Sequence, residues 1–293
     1  MTDCAGPGTG ARPVASDLPD LGVGVGWRPE IAGVVADLPN LRFCEVVAEG
    51  IHTHVPLSGP LATLRERGVT LVPHGVRLSL GGAEPVSPER VKHLADCAAL
   101  LGAPLVSEHI AFVRAGDLEA GHLLPVPRTR AAVDALAANY VRTVEGLGGV
   151  PLALEPIAAL FDWPDDEYDE ADFLTAVLDR TGALLLLDVA NVYANARNRG
   201  QDPVALLDRL PLERVAYVHV AGGREHEGLY HDTHTDAVPQ EVLELVTALA
   251  ERATPAGWLL ERDGDYPPAD VLRAELAAIT TAVGAGTRAA GAR

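Results

Sequence analysis

Short runs rich in aliphatic and β-branched residues recur along the chain at residues 21–27, 42–48, 70–73, 105–108, 151–155, 183–188, 215–220 and 257–261. Segments with helical spacing of apolar positions lie between them, most clearly at 87–101, 129–147, 170–180, 203–210, 239–252 and 268–283. A short continuous apolar run suits a strand buried on both faces, and apolar recurrence every three to four residues suits a helix packed on such a sheet. Several helix starts are marked: Ser87 precedes Pro88, Asp202 precedes Pro203, and Pro268 opens the last segment. A side-chain acceptor followed by a residue without an N–H matches the unpaired amides of a first helical turn. About eight strands alternating with helices require a parallel sheet, and this number predicts closure into a single α/β (β/α)8 TIM barrel. The pattern divides the chain into a flexible arm (1–20), the barrel (21–283) and a short flexible tail (284–293), the ends being rich in Gly, Pro and Ala without periodicity.

Gly22, Gly24 and Gly26 invite comparison with the dinucleotide-binding GxGxxG turn, but Trp27 is in the way of the third glycine. These glycines also alternate inside an apolar run, where they serve to admit a close neighbour.

A chain of 293 residues holds one such barrel. Its 41 acidic against 23 basic residues give a formal charge of -18, which repels polyanions and argues against nucleic acid. Cys4, Cys44 and Cys97 are odd in number and scattered, so neither a disulfide framework nor a thiolate metal site is expected. No signal-like start or membrane-length apolar stretch occurs, and a cytoplasmic protein is expected.

The polar residues at the strand ends are the informative ones. In chain order they are Glu45 and Glu49, His74, Glu108 with His109, Glu155, Asp188 with Asn191, His219, and Glu261 with Asp263; the loop after the seventh strand adds Asp232 and His234. A single strand-end carboxylate is commonly a helix cap, whereas so many imidazoles and carboxylates at one barrel mouth predict a metal centre. The set exceeds what one ion needs and lacks sulfur, which points to two or three ions of zinc, iron or manganese sharing carboxylates. Without cations, so many acids in one mouth would repel each other. His52 and His54 reach the mouth only if their loop is extended; His93 reads as a surface residue, and His122, His226 and His231 as loop residues. Cys44 faces away from Glu45, and Cys97 reads as helix core.

The stretches PHGVRLSLGG around His74, LVSEHIAF around Glu108 and His109, LLLDVANVYANARNRGQDP around Asp188 and Asn191, VHVAGG around His219, and HDTHTDAV around Asp232 and His234 occur in this order. Together they resemble the multinuclear non-heme iron-dependent oxidative enzymes, the family that includes the methanobactin biosynthesis oxidase, over residues 22–275. The resemblance implies a TIM barrel with two or three mixed-valent Fe(II)/Fe(III) ions and O2 as co-substrate. It implies modification of a residue, often cysteine, in a ribosomally made precursor peptide, in many members with a separate protein that holds the leader. The ligands it implies are His74, His109, Glu155, Asp188, Asn191, His219, Asp232, His234 and Glu261, with Glu155, Asp188 and His219 carrying catalysis.

Three positions depart from the family pattern. Glu49 is followed by Gly50 and Ile51 instead of Asn and an aromatic residue, Glu155 by Pro156 instead of Asn, and Gly223 replaces a histidine that often closes the VHVAGG stretch. They imply a retained iron set beside an altered substrate pocket, so cysteine is not carried over as the target. Arg28, Arg77 and Arg197 are candidates for holding a peptide carboxylate, Arg197 reading better as a solvated surface residue. The alternative reading keeps the barrel as a zinc or manganese sugar isomerase/epimerase or phosphodiesterase; a third is a metal-binding protein without turnover.

Overall fold

The structure, a computed structural model, describes residues 14–292. Eight parallel strands close into a barrel: β1 (Gly22–Trp27), β2 (Phe43–Val47), β3 (Thr70–Gly75), β4 (Val106–His109), β7 (Leu152–Glu155), β8 (Leu184–Asp188), β9 (Val215–Val220) and β12 (Gly257–Leu260), which pairs back onto β1. Helices α1 (Ala32–Ala36), α2 (Gly59–Glu66), α3 (Pro88–Leu101), α4 (Arg130–Gly146), α5 (Glu170–Thr181), α6 (Val189–Asn198), α7 (Pro203–Leu207), α8 (Gln240–Ala250) and α9 (Ala269–Gly291) form the outer layer. The predicted caps are in place. Ser87 accepts from Arg90 N with Pro88 in the first turn, and Asp202 accepts from Val204 N. The strands run slightly further than their apolar runs, so His74 and His109 lie inside β3 and β4 rather than after them.

The core has two parts. A large cluster lies between strands and helices, and it takes up Cys44 and Cys97 as buried apolar groups. A separate cluster that includes Leu21, Phe43, Val72, Leu105, Ala153, Leu186, Tyr217 and Leu259 fills the base of the barrel. Gly24 is required here, since a Cβ at that position would collide with the Phe43 ring. The alternating glycines of β1 thus make room for a neighbour, as expected.

Three expectations are corrected. The tail from residue 284 is not loose: α9 continues to Gly291, and Gly286 packs so closely on α8 that a Cβ would strike the Thr247 carbonyl. Of the arm at 1–20, residues 1–13, with Cys4, lie outside the described residues, while Ala15–Asp17 form a 3-10 turn and Ala15 and Leu18 pack under the barrel. Two antiparallel hairpins, unforeseen in the strand count, rise from the barrel: β5 (Ala111–Ala115) with β6 (Leu118–Pro125), and β10 (Gly222–His226) with β11 (Leu229–Asp236). No helix among the described residues is long and apolar enough to cross a membrane.

Candidate metal centre

Strand alternation builds the site. Successive inward positions lie two residues apart, so the residue two beyond each base-layer residue faces the interior one level higher. Phe43 is followed by Glu45, Val72 by His74, Leu105 by Ser107 and then His109, Ala153 by Glu155, Leu186 by Asp188, Tyr217 by His219, and Leu259 by Glu261. An apolar base thus carries a polar layer, and all of these polar side chains are buried.

Each strand histidine has one ring nitrogen tied and the other turned inward. His74 Nδ1 lies 2.8 Å from Ser107 Oγ, His109 Nδ1 lies 3.2 Å from the Gly75 carbonyl, and His219 Nε2 lies 2.8 Å from Glu45 Oε2. The inward nitrogens meet carboxylates. His74 Nε2 and His109 Nε2 stand 3.6 and 3.2 Å from Glu155 Oε2. His219 Nδ1 stands 3.3 Å from Glu155 Oε1 and 2.9 Å from Glu261 Oε2. A tied outer nitrogen fixes the tautomer that offers a lone pair to an ion.

Asp188 realises both readings of a strand-end acid. Its Oδ1 caps α6, accepting from Ala190 N and Asn191 N at 2.6 and 3.2 Å, while Oδ2 turns to the mouth, 3.5 Å from His234 Nε2. Asn191 donates Nδ2 to the Pro156 carbonyl at 3.1 Å, leaving its Oδ1 free. Asp232 and His234 arrive from the second hairpin. Between the pairs Gly222 with Asp236 and Arg224 with His231, β11 carries a bulge, and His234 adopts a left-handed φ of 54°. The bulge sets His234 Nε2 2.7 Å from Asp232 Oδ2 and Nδ1 3.3 Å from Glu261 Oε2. Gly223 lies against this bulge, where a Cβ would run into the His231 carbonyl.

Four triads present nitrogen or oxygen atoms within 4.8 Å of one another: His74, His109 and Glu155; Glu155, Asp188 and His219; Asp188, His234 and Glu261; and Glu45, His219 and Glu261. The first three are linked through Glu155 and Asp188. Glu45 Oε1, Glu155 Oε2, Asp188 Oδ2, Asn191 Oδ1, His219 Nδ1 and Asp232 Oδ1 are all buried without a hydrogen-bond partner. Orphaned buried polar atoms are costly and rare, and here they converge on one mouth. Bound cations would satisfy those of Glu155, Asp188, Asn191, His219 and Asp232, so the donor set fits a metal centre.

The charges show the same need. Burial alone would raise Glu155, but His219 and His109 hold it down at about 2. Burial disfavours the His109 imidazolium, yet Glu155 and Glu108 lift it to about 9. Burial and the neighbouring Asp232 push Asp188 up to about 7. Protons thus stand in for the positive charge that ions would bring. Arg28, the single Arg or Lys among the described residues that line the mouth, donates to Glu261 Oε1 at 3.0 Å and to Asp263 Oδ1 at 2.5 Å. The expectation that it holds a peptide carboxylate is corrected, because its guanidinium is committed to these acids.

The other candidates lie elsewhere. Glu108 faces outward and accepts from Leu78 N and His109 N, and Glu49 accepts from Val76 N at 3.0 Å. His52 and His54 are exposed. His93 is not a free surface residue, since its Nε2 lies 2.8 Å from the Ala48 carbonyl. Arg77 pairs with Glu119, and Arg197 with Glu225. Tyr217 and Ser107, whose hydroxyls join Glu45 to His74, have no signal in the sequence, because a Tyr or Ser inside an apolar strand carries no ligand signature.

Residues 22–283 match the family model described as RiPP precursor modification enzyme MbnB/TglH/ChrH. The chain is 53% identical over 281 residues to a UPF0276 protein of Streptomyces avermitilis, covering 93% of this chain but only 57% of that longer protein. It is 37% identical to a UPF0276 protein of Chromobacterium violaceum, covering 87% and 92% of the two chains. Among solved structures it resembles an L-ribulose 3-epimerase (16% identity, TM-score 0.58, covering 92% and 96%). It also resembles the mannonate dehydratase of Streptococcus suis (13%, 0.59, with the same coverage). At such identities the likeness concerns the barrel alone.

Proposed function

This chain belongs to the MbnB/TglH/ChrH family of RiPP precursor modification enzymes, and from that premise we propose that it is a multinuclear iron, O2-dependent oxidase that modifies a side chain of a ribosomally synthesised precursor peptide. The observation that carries the reading is the chain of triads sharing Glu155 and Asp188, with orphaned oxygens turned into one buried mouth. His74, His109 and Glu155 would hold one ion, Glu155, Asp188, His219 and Asn191 a second, and Asp188, Asp232, His234 and Glu261 a third. Imidazole and carboxylate donors tolerate both ferrous and ferric iron, and bound iron would supply the electrons that O2 chemistry requires.

The chain's own residues prepare that chemistry. Asp188 cannot rotate, because one oxygen caps α6 while the other faces the mouth. Arg28 offsets the charge of Glu261 and Asp263 from the β1 side. Val47, Val76, Leu123, Ile157 and Ala158 give the otherwise polar cavity of about 400 Å3 above the polar layer an apolar wall that suits a peptide side chain. The reading includes a cytoplasmic setting and a separate leader-holding partner. The residues at the departures, Gly50, Pro156 and Gly223, lie outside the proposed ligand set and bear on which peptide is accepted.

The test is elemental mass spectrometry with Mössbauer spectroscopy on protein purified without oxygen from iron-supplemented cells. Two or three irons per chain are expected. Stoichiometric zinc or manganese with negligible iron would overturn the reading.

A further inference from the structure

Resting on the reading of this mouth as a metal centre, we propose that Glu45 is a positioning residue and not a ligand: one of its oxygens sets the tautomer of two metal-facing imidazoles, His219 directly and His74 through Tyr217 and Ser107. Glu45 Oε2 lies 2.8 Å from His219 Nε2 and 2.5 Å from Tyr217 Oη. Tyr217 Oη lies 2.7 Å from Ser107 Oγ, which lies 2.8 Å from His74 Nδ1. Glu45, Ser107, Tyr217 and His219 are all essentially closed to solvent, so no water competes for these bonds.

The direction of the chain follows from proton counting. A carboxylate only accepts, so Tyr217 spends its single hydrogen on Glu45 and must accept from Ser107. Ser107, having donated, accepts from His74 Nδ1–H. His74 therefore presents a bare Nε2 toward Glu155. In the other arm His219 donates Nε2–H to Glu45 and keeps Nδ1, which faces Glu155 and Glu261, for an ion. One acid thus coordinates two ligands on strands β3 and β9, on different sides of the barrel. Glu45 also lies within reach of a fourth triad with His219 and Glu261. Its use there as a ligand would have to go through Oε1, the oxygen that fixes neither ring.

The test is an anaerobic titration with cobalt(II), whose d–d absorption reports ion number and coordination, on wild type, Glu45→Gln, Glu45→Ala and Ser107→Ala. Glu45→Gln keeps an acceptor oxygen for both partners, so it should retain the wild-type ion number and band positions. Glu45→Ala should weaken cobalt binding by about 10- to 100-fold, as loss of an outer-shell partner does, with the full number restored at saturation. Ser107→Ala cuts only the His74 arm and should weaken one ion. If Glu45→Gln loses an ion at saturation, Glu45 is a ligand and the proposal falls; wild-type affinity in both Glu45→Ala and Ser107→Ala also sinks it. Should Glu45→Ala fail to fold by circular dichroism, Glu45→Gln and Ser107→Ala decide the matter. Wild type that takes up no cobalt would instead overturn the metal reading beneath it.

Discussion

His74 and His109, on neighbouring strands, meet edge to face with ring centroids 4.6 Å apart and aim both Nε2 atoms at one oxygen, Glu155 Oε2. That oxygen has no hydrogen-bond partner, although two imidazole nitrogens lie near it. The other Glu155 oxygen faces His219. On the proposed reading Glu155 would therefore link two ion positions, whereas His109 would serve one. Glu155→Ala should cost two ions per chain and His109→Ala one, with activity lost in both and the circular dichroism retained. Equal metal losses in the two variants would contradict the bridging role.

The charges give the metal-free protein a distinctive pH response. His109 is raised from 6.5 to about 9, so its contribution is fully present below the unfolded value and is lost as pH rises through 9. Asp188, raised from 3.8 to about 7, adds a loss of the same sign as pH rises through 7. Glu155, lowered to about 2, contributes only above 4.5 and loses its contribution in acid, outside this window. Chelated protein should thus lose on the order of 2 kcal/mol between about pH 6 and pH 9. An ion that replaces these protons reverses the trend, so the rise in melting temperature on adding zinc should grow with pH. Melting scans of chelated and zinc-loaded protein test this, and parallel curves would contradict it.

Much of this was legible because strand alternation is local. Glu155, Asp188, His219 and Glu261 end or follow unbroken apolar runs, and a parallel barrel gathers strand ends at one mouth. The hairpins were harder to see, since β6 and β10 are largely exposed and carry little hydrophobic pattern. Their turns do leave a trace: Gly116 with Asp117 and Glu227 with Gly228 offer the left-handed residues that tight turns use. The Glu45 network was not legible, because it joins residues 45, 107 and 217 across the barrel interior. The helical tail failed for a different reason. Residues 284–291 look featureless in sequence, but Gly286 is small because it touches α8.

Arg28 carries the next prediction. Its guanidinium is mostly buried and holds Glu261 and Asp263, acids that face His234 on their other side. Removing it leaves those carboxylates unbalanced in the metal-free protein. Arg28→Ala should lower the stability of the chelated form by about 1–3 kcal/mol, less than a fully buried pair because Asp263 is partly exposed. Metal loading should recover most of that loss, since a cation replaces the missing charge. An equal drop in melting temperature with and without metal would make Arg28 a packing residue only.

The bulge in β11 leaves no room for a side chain at Gly223 in the second hairpin. Its N–H donates to Tyr230 Oη at 2.9 Å, and a Cβ there would meet the His231 carbonyl and the Tyr230 ring. Sequence resemblance leads one to expect histidine at this position, whereas here glycine makes close backbone contact. Asp232 and His234 depend on that contact, because the same bulge turns both toward Asp188 and Glu261. Gly223→His therefore does not restore a ligand here; it forces the hairpin outward. Overpacking of this kind costs about 1–3 kcal/mol. The metal count should fall by one, specifically the ion at Asp188, His234 and Glu261, while the His74, His109 and Glu155 position stays filled. Gly223→Ala should show the same loss in weaker form. A full metal complement in both variants would mean that the hairpin has room to spare and that Asp232 and His234 are held by something other than this contact.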